Sequence, residues 1–474
     1  MKRIVFYILA ALALGTAMAH GKGKHPNGKQ YIWRYTLADK QGTPYSLDHP
    51  TRWLSRKSVE RRRRQGLSLD STDLPVSSVY LRTMKQTAAG HHTMAQFVGT
   101  SRWNNTVLVR SADTTLLGEL SRLAFVREAC QVWATPDSAG PRMLKVKVHE
   151  QWNPWDSLPR EHYGHGKQQI EMLHGHRLHN IHLRGQGMTI AVLDGGFQNV
   201  DKIPALQRVR IDGVRDFVSP PSPLFYAETD HGTKVLSAMA ADVPEVLIGT
   251  APEAHYWLLR CEDQQSEQLV EEDYWAMAAE FADSIGADLI NSSLGYNEFD
   301  DTQQNHRLRD LDGQSTLISR TASMLARKGI VLVNSAGNTG MSPWKKLCVP
   351  ADAHEILTVG ALNSQMKVAP FTSVGPTQDG RVKPDVMAQG SPAALINGRG
   401  SIMRDMGTSF ATPIVCGLVA CLWQSMPQKS ALDIINLVRK TSDNYQTPDN
   451  IYGYGTPNFW RAYMTGQLEL RNEE

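Results

Sequence analysis

An α/β fold, with a mostly parallel sheet covered by helices on both faces and preceded by a small α+β unit, is what this 474-residue sequence predicts. Three observations carry that reading. Short β-rich apolar runs at MTIAVLD (Met188–Asp194), ADLINSSLG (Ala287–Gly295) and GIVLVNSAGN (Gly329–Asn338) each end in polar or glycine residues. Helix-patterned segments, GTKVLSAMAA and EEDYWAMAAEFADSIG, lie between the first two. Strands apolar on both faces and separated by helices belong to parallel sheets buried on both sides. Ahead of them, from about residue 20 to 133, strand and helix patterns alternate in a shorter unit.

The chain opens MKRIVFYILAALALGTAMA, in which Lys2 and Arg3 precede an apolar run from about Ile4 to Leu14 and Ala17-Met18-Ala19 closes it. That is the layout of a secretory signal peptide over residues 1–19. The run is too short to span a bilayer, and no later stretch reaches about 18 uninterrupted apolar residues. The mature chain is therefore expected to lack an integral membrane segment and to be exported, to a periplasm or outside the cell. Residues 20–150 read as an N-terminal unit with its linker, and residues 151–474 as the larger domain. Within the first, RYTLADK reads as a strand, SRKSVERRRRQG as a charged helix and TTLLGELSRLAFV as an amphipathic helix. Arg61–Arg64 read as a solvated helix face in preference to a processing site. Prolines, tryptophans and a glycine-histidine cluster mark Ala134–Lys167 as linker, which is where a maturation site is expected.

Composition narrows the function. At 41% hydrophobic residues the chain is not mainly disordered, and a net charge of +3 gives no reason to expect a nucleic-acid partner. Five cysteines do not make a disulfide framework. On a helix Cys416 and Cys421 would have Cα atoms about 8.6 Å apart, beyond the roughly 7 Å that a disulfide tolerates. They read as buried thiols; pairing of Cys261 with Cys348 stays open.

The segment RDMGTSFATPIVCGLVACLW (Arg404–Trp423) places Ser409 at or just before the start of a buried helix, with Pro413 in its first turn. Free N–H groups and the positive end of the helix dipole stabilise an anion there. Asp194 follows a buried strand, His231 opens a helix and Asn338 closes a strand. In parallel sheets, functional groups gather at such carboxyl ends. Acyl transfer needs a nucleophile, a base, an acid that orients the base, and donors for an oxyanion. Singly, each residue is more often structural: Asp194 and Asn338 as turn residues, His231 as a packed side chain, Ser409 as an N-cap. Their coincidence carries the reading.

AVLDGGF, DHGTKVLSAMA, NSSLG, NSAGN and GTSFATP, in this order, resemble the signature segments of subtilisin-like serine proteases, and the resemblance covers roughly residues 168–465. It implies an Asp194–His231–Ser409 triad and Asn338 as oxyanion donor. It also implies that Ser293, Leu294 and Gly295 line the primary specificity pocket and pair with substrate as an added strand. Protein or peptide substrates follow, with no cofactor or metal for catalysis; a structural calcium ion is compatible but not placed. The N-terminal unit would be a prodomain that assists folding and blocks the cleft, making the product a zymogen. The flanking motifs resemble the exported subtilases of Bacteroidetes-type bacteria. Gly195, Lys234 and Phe410 depart from the commoner pattern.

The order acid, histidine, serine excludes an α/β-hydrolase, because no histidine follows Ser409. Acid-active relatives carry glutamate and aspartate where His231 and Asn338 stand. A neutral-to-alkaline working range is thus expected, with His231 unprotonated at rest. His162, His165, His174, His176, His179 and His182 lack acidic or cysteine partners and read as solvated linker residues rather than metal ligands. The chain stops soon after the domain, at LELRNEE, so no C-terminal sorting or adhesion domain is expected.

Overall fold

The computed structural model describes residues 28–136, 147–148, 162–220 and 225–473. The leader at 1–19 and most of the expected linker, with the maturation site sought there, lie outside the described residues. The N-terminal unit runs β1 (Tyr31–Leu37), α1 (Arg56–Arg64), α2 (Ser78–Ala89), β2 (Gln96–Ser101), β3 (Thr106–Ser111), α3 (Thr114–Leu120) and β4 (Val126–Ala134). Its strands form an antiparallel sheet in the order β2-β3-β1-β4. The caps follow the sequence: the Ser55 side chain accepts from Ser58 N at α1, and Asp113 from Thr115 N and Leu116 N at α3. Helix α3 is shorter than its apolar pattern suggests. Val126 pairs with Leu37 to open β4, so the chain turns at Leu123 and leaves the helix early.

The larger domain begins with α4 (Lys167–Glu171), α5 (Gly175–Asn180), β5 (Thr189–Asp194), β6 (Arg210–Asp216) and α6 (His231–Ala240). The short pair β7 (Asp242–Val243) and β8 (Leu247–Ile248) precedes β9 (His255–Arg260), α7 (Val270–Ile285), β10 (Leu289–Ser292) and α8 (Leu317–Ala322). Then come β11 (Val331–Ser335), β12 (Leu357–Asn363), β13 (Val386–Ser391) and the hairpin β14 (Ala393–Ile396) and β15 (Ile402–Asp405). Helices α9 (Thr408–Gln424), α10 (Ala431–Lys440) and α11 (Phe459–Glu473) close the domain. Seven strands make one parallel sheet, ordered β13-β12-β11-β10-β5-β9-β6.

Alternate residues of each central strand enter different cores, as a period of two requires. Ile190, Val192, Leu289, Val331 and Val333 pack with α6 and α9 on one face. Ala191, Leu193, Ile290 and Leu332 pack with α7 and α8 on the other. Burial on both faces is why these strands read as unbroken apolar runs. All five cysteines are free; Cys416 and Cys421 are fully buried in α9, and Cys421 Sγ lies 3.1 Å from the Thr250 carbonyl. Burial pushes the Cys416, Cys421, Cys261 and Cys348 thiols up, Cys348 to about 12.

Three expectations are corrected. The arginine run is not a solvated face: Arg61 and Arg62 are buried against α7, where both pair with Asp283, and Arg102 joins them at 2.5 Å. Their guanidinium groups meet a buried carboxylate, and within the run only Arg63 and Arg64 face water. The histidines lie in the folded domain rather than in a linker: His162 and His182 are exposed as expected, but His165, His174 and His176 are half-buried and His179 is buried. His179 is buried on α5, within 3.2 Å of the Tyr163 hydroxyl and 3.0 Å of the Thr250 carbonyl, and burial pulls it down to about 4. Pro413 lies inside α9 rather than in its first turn, because the helix already starts at Thr408.

Candidate active site

Strand β5 delivers Asp194 to the carboxyl end of the sheet, fully buried. There Oδ1 accepts from Gly195 N at 2.8 Å, and the carboxylate meets Nδ1 of His231 at 2.9 and 3.0 Å. A carboxylate only accepts, so Nδ1 carries a proton, and in the neutral imidazole Nε2 is the acceptor. His231 is the first residue of α6, and its side chain is 30% exposed. Gly232 lets the start of α6 touch the loop after β5: a Cβ there would collide with the Gly196 carbonyl, to which Gly232 N donates at 2.9 Å. Burial opposes charge on His231, but the Asp194 carboxylate and its hydrogen bond outweigh that and push the imidazole up to about 9, with help from Glu262 and opposition from Lys234.

Ser409 is the second residue of α9, so its N–H stands outside the intrahelical ladder. Its hydroxyl donates to the Ser293 carbonyl at 3.1 Å, while the Ser293 hydroxyl donates to the Ser409 carbonyl at 2.8 Å. Pro413 explains the second bond. Ordinarily the N–H four residues on would occupy that carbonyl; proline has none, so the oxygen is open to Ser293. Phe410, next to Ser409, sets its ring 5.7 Å from that of His231. On the far side of the helix start, Asn338 Oδ1 accepts from Thr408 N at 2.9 Å and Thr408 Oγ1 at 3.0 Å. Its carbonyl end is thereby fixed, and its donor end, Nδ2, turns away from Thr408.

The carboxyl ends of β5, β10 and β11 and the starts of α6 and α9 therefore carry all the residues singled out from the sequence. Hydrogen bonds join Asp194 to His231 and Ser293 to Ser409, and Asn338 to Thr408 beside it. Leu294 is buried, its carbonyl accepting from Ser335 Oγ at 3.2 Å, whereas Gly295 is exposed. The unusual residues have partners. Lys234 bridges Asp405 at 3.1 Å and Asp230 at 3.4 Å, and Gly195 leaves room for Glu262, whose Oε2 would lie 2.7 Å from a Cβ at 195. Thr408 and Glu262 were not singled out from the sequence. Thr408 stood in the quoted GTS motif, and Glu262 heads the acidic run EDQQSEQLVEED just after a strand. Among the described residues no group of three or more His, Cys, Asp or Glu side chains converges to hold a metal ion.

A doubly covered parallel sheet with a carboxylate–imidazole pair and a helix-borne serine at its carboxyl edge places the chain among α/β proteins that gather polar side chains at that edge. Residues 185–455, more than half the chain, match the model of the subtilase family, and the chain belongs to that family. Residues 33–145 match the Bacteroidota peptidase S8 propeptide domain. The chain is 29% identical over 306 residues to Serine protease AprX of Bacillus subtilis, a match covering 58% of this chain and 66% of that relative, just under two thirds of its length. It is 28% identical over 285 residues to Subtilisin BL of Lederbergia lenta, covering 59% of this chain and 92% of the relative. Among the described residues no helix is long and apolar enough to cross a membrane.

Proposed function

We propose that the protein is an exported serine endopeptidase, made as a zymogen, which hydrolyses peptide bonds through an acyl-enzyme. The observation that carries this is the His231–Asp194 pair, held at 2.9 Å through Nδ1, at the sheet edge where Ser409 starts a buried helix. In this reading His231 takes the Ser409 proton as the hydroxyl attacks a peptide carbonyl, then returns it to the leaving amine. Asp194 holds the tautomer and stabilises the imidazolium. The Ser409 N–H and Asn338 Nδ2 bind the oxyanion. The exposed Gly295 edge, after Ser293 and Leu294, receives the substrate backbone as an added strand. The N-terminal unit occupies the enzyme as its own inhibitor until it is cut away, and protein or peptide chains are the substrates. A leader at 1–19 supports export. A fluorophosphonate probe tests the reading: covalent label recovered on Ser409 after self-processing is expected, and an unlabelled, folded, processed protein would overturn it.

Asn338→Ala is expected to lower kcat by about 10²–10³, a scale carried over from subtilisins, this chain's own relatives. Comparing kcat and KM on one peptide checks it, since an oxyanion donor changes kcat far more than KM.

The pH profile has a definite sign. His231 accepts a proton only when neutral, so activity is present above its pKa and lost as pH falls through it. With the imidazole pushed up to about 9, kcat/KM should rise with unit slope and level off above about pH 9. The working range is then the alkaline part of the span expected from sequence. A kcat/KM series from pH 6 to 11 decides; a profile flat from pH 7 upward would show that His231 titrates lower.

A further inference from the structure

Helix α6, which starts with His231, lies against the β14–β15 hairpin, whose second strand runs straight on to Ser409. Polar ties fasten the two together. Gly398 N, in the hairpin turn, donates to Asp230 Oδ2 at 3.0 Å, and Ile396 N donates to Ser237 Oγ at 2.9 Å. Between them, Lys234 Nζ meets Asp405 Oδ2 at 3.1 Å. Asp230, Lys234 and Ser237 are spaced four and three residues apart, which puts them on one face of the helix. The other oxygen of Asp405, Oδ1, accepts from Met406 N at 2.8 Å. One carboxylate thus holds α6 on one side and the backbone leading into Ser409 on the other.

The first two ties join a backbone N–H to a side chain, whereas Lys234–Asp405 joins two charged side chains. Lys234 Nζ also lies 3.4 Å from Asp230 Oδ1, so the ammonium bridges the carboxylate at the helix start and the one on the hairpin. It is half-buried, 16% exposed, and stands one helical turn beyond His231. The charged groups that face the imidazole divide by sign: Asp194 from β5 and Glu262 from beyond β9 favour its protonation, and Lys234 opposes it. The Ser409 hydroxyl donates to the Ser293 carbonyl. Passing its proton to His231 requires Oγ to come within hydrogen-bond reach of Nε2. How α6 sits against the segment that carries Ser409 sets that separation.

Building on the protease reading, we propose that Lys234 is a positioning residue for the reaction: through Asp405 it fixes the His231 helix against the segment leading into Ser409, and its charge disfavours a protonated imidazole.

The test takes the full chain after self-processing, counts active sites with a fluorophosphonate, and fits kcat and kcat/KM for one fluorogenic peptide across pH. Lys234→Met is expected to lower the pH-independent kcat by about tenfold or more with little change in KM, as misplaced reacting groups do. Its acidic limb should move to higher pH, because Asp230 and Asp405 then face His231 uncompensated. Asp405→Asn breaks the tie but keeps the ammonium, so kcat falls while the limb moves to lower pH. Lost packing alone would lower kcat or the melting temperature without moving the limb in opposite directions. Lys234→Arg, which keeps the charge and the donors, should hold kcat within about threefold of the wild type. An ion pair this close to water adds little to overall stability, so the variants should fold. If Lys234→Met does not process itself, the profiles of Asp405→Asn and Lys234→Arg decide in the same way. A limb unmoved in both Lys234→Met and Asp405→Asn, or kcat of Lys234→Met within about twofold of the wild type, would overturn the role of Lys234 and leave the protease reading standing. Absence of both hydrolysis and labelling in the wild type would overturn the protease reading, and this role with it.

Discussion

The full chain carrying Ser409→Ala is expected to lose peptide hydrolysis by a factor of about 10⁶, to stay full length and to take up no fluorophosphonate. The magnitude is carried over from the triad of subtilisins, this chain's relatives, where removing the serine costs as much as removing all three groups. The fold should persist. The hydroxyl makes one described hydrogen bond, to the Ser293 carbonyl, and such a bond contributes only about 1 kcal/mol. The Ser293 hydroxyl still has the residue-409 carbonyl, which Pro413 leaves open. Progress curves on a fluorogenic peptide, with intact mass of the purified protein, check both halves. Hydrolysis within tenfold of wild type, or continued self-cleavage, would mean that another group attacks.

The second large effect concerns how the N-terminal unit holds to the larger domain. Asp283, fully buried on α7, receives Arg61, Arg62 and Arg102 from that unit. Burial opposes its charge, but the three guanidinium groups outweigh this and hold its carboxyl below the usual range. Asp283→Ala leaves Arg61 and Arg62, 1% and 2% exposed, without their shared counter-charge. Breaking a buried ion pair from one side costs about 3–5 kcal/mol. Arg62 keeps Asp73 at 2.9 Å, so the lower end is the better expectation. The loss should fall on the docked state, because the arginines and Asp283 belong to different units. In the uncleavable Ser409→Ala chain, hydrogen exchange should speed up through α1 and β4 while β5, β10 and β11 stay protected. Unchanged protection of α1 would show that apolar contacts alone hold the unit.

The central strands were legible because both faces are buried: Ile190–Leu193 in β5, Leu289–Ile290 in β10 and Val331–Val333 in β11 are consecutive apolar residues before polar ones close each strand. Strand β6 was not, since it sits at the sheet edge and within it only Asp216 is buried. The arginine run misled for a reason no local pattern can reveal. Its partner, Asp283, lies 222 positions from Arg61, and a helix of charges reads as solvated until that partner is known. The site residues were legible because Asp194 ends a strand, His231 and Ser409 lie at helix starts and Asn338 follows a strand within three residues, and the sheet's direction sends those ends to one edge. Their mutual bonds were not, and neither was Glu262, whose place depends on the absence of a side chain at Gly195. Pro413 was noticed but misplaced: its effect is to free an acceptor for Ser293, not to begin the helix.

None of the five cysteine sulfurs is cross-linked, and those of Cys261, Cys348, Cys416 and Cys421 are sealed from solvent with their ionised forms suppressed. Thiolate is the reactive species, so these groups exchange slowly with oxidants and alkylating agents. The molecule should therefore keep its shape and its turnover in dithiothreitol, and need no bridge-shuffling catalyst while it folds.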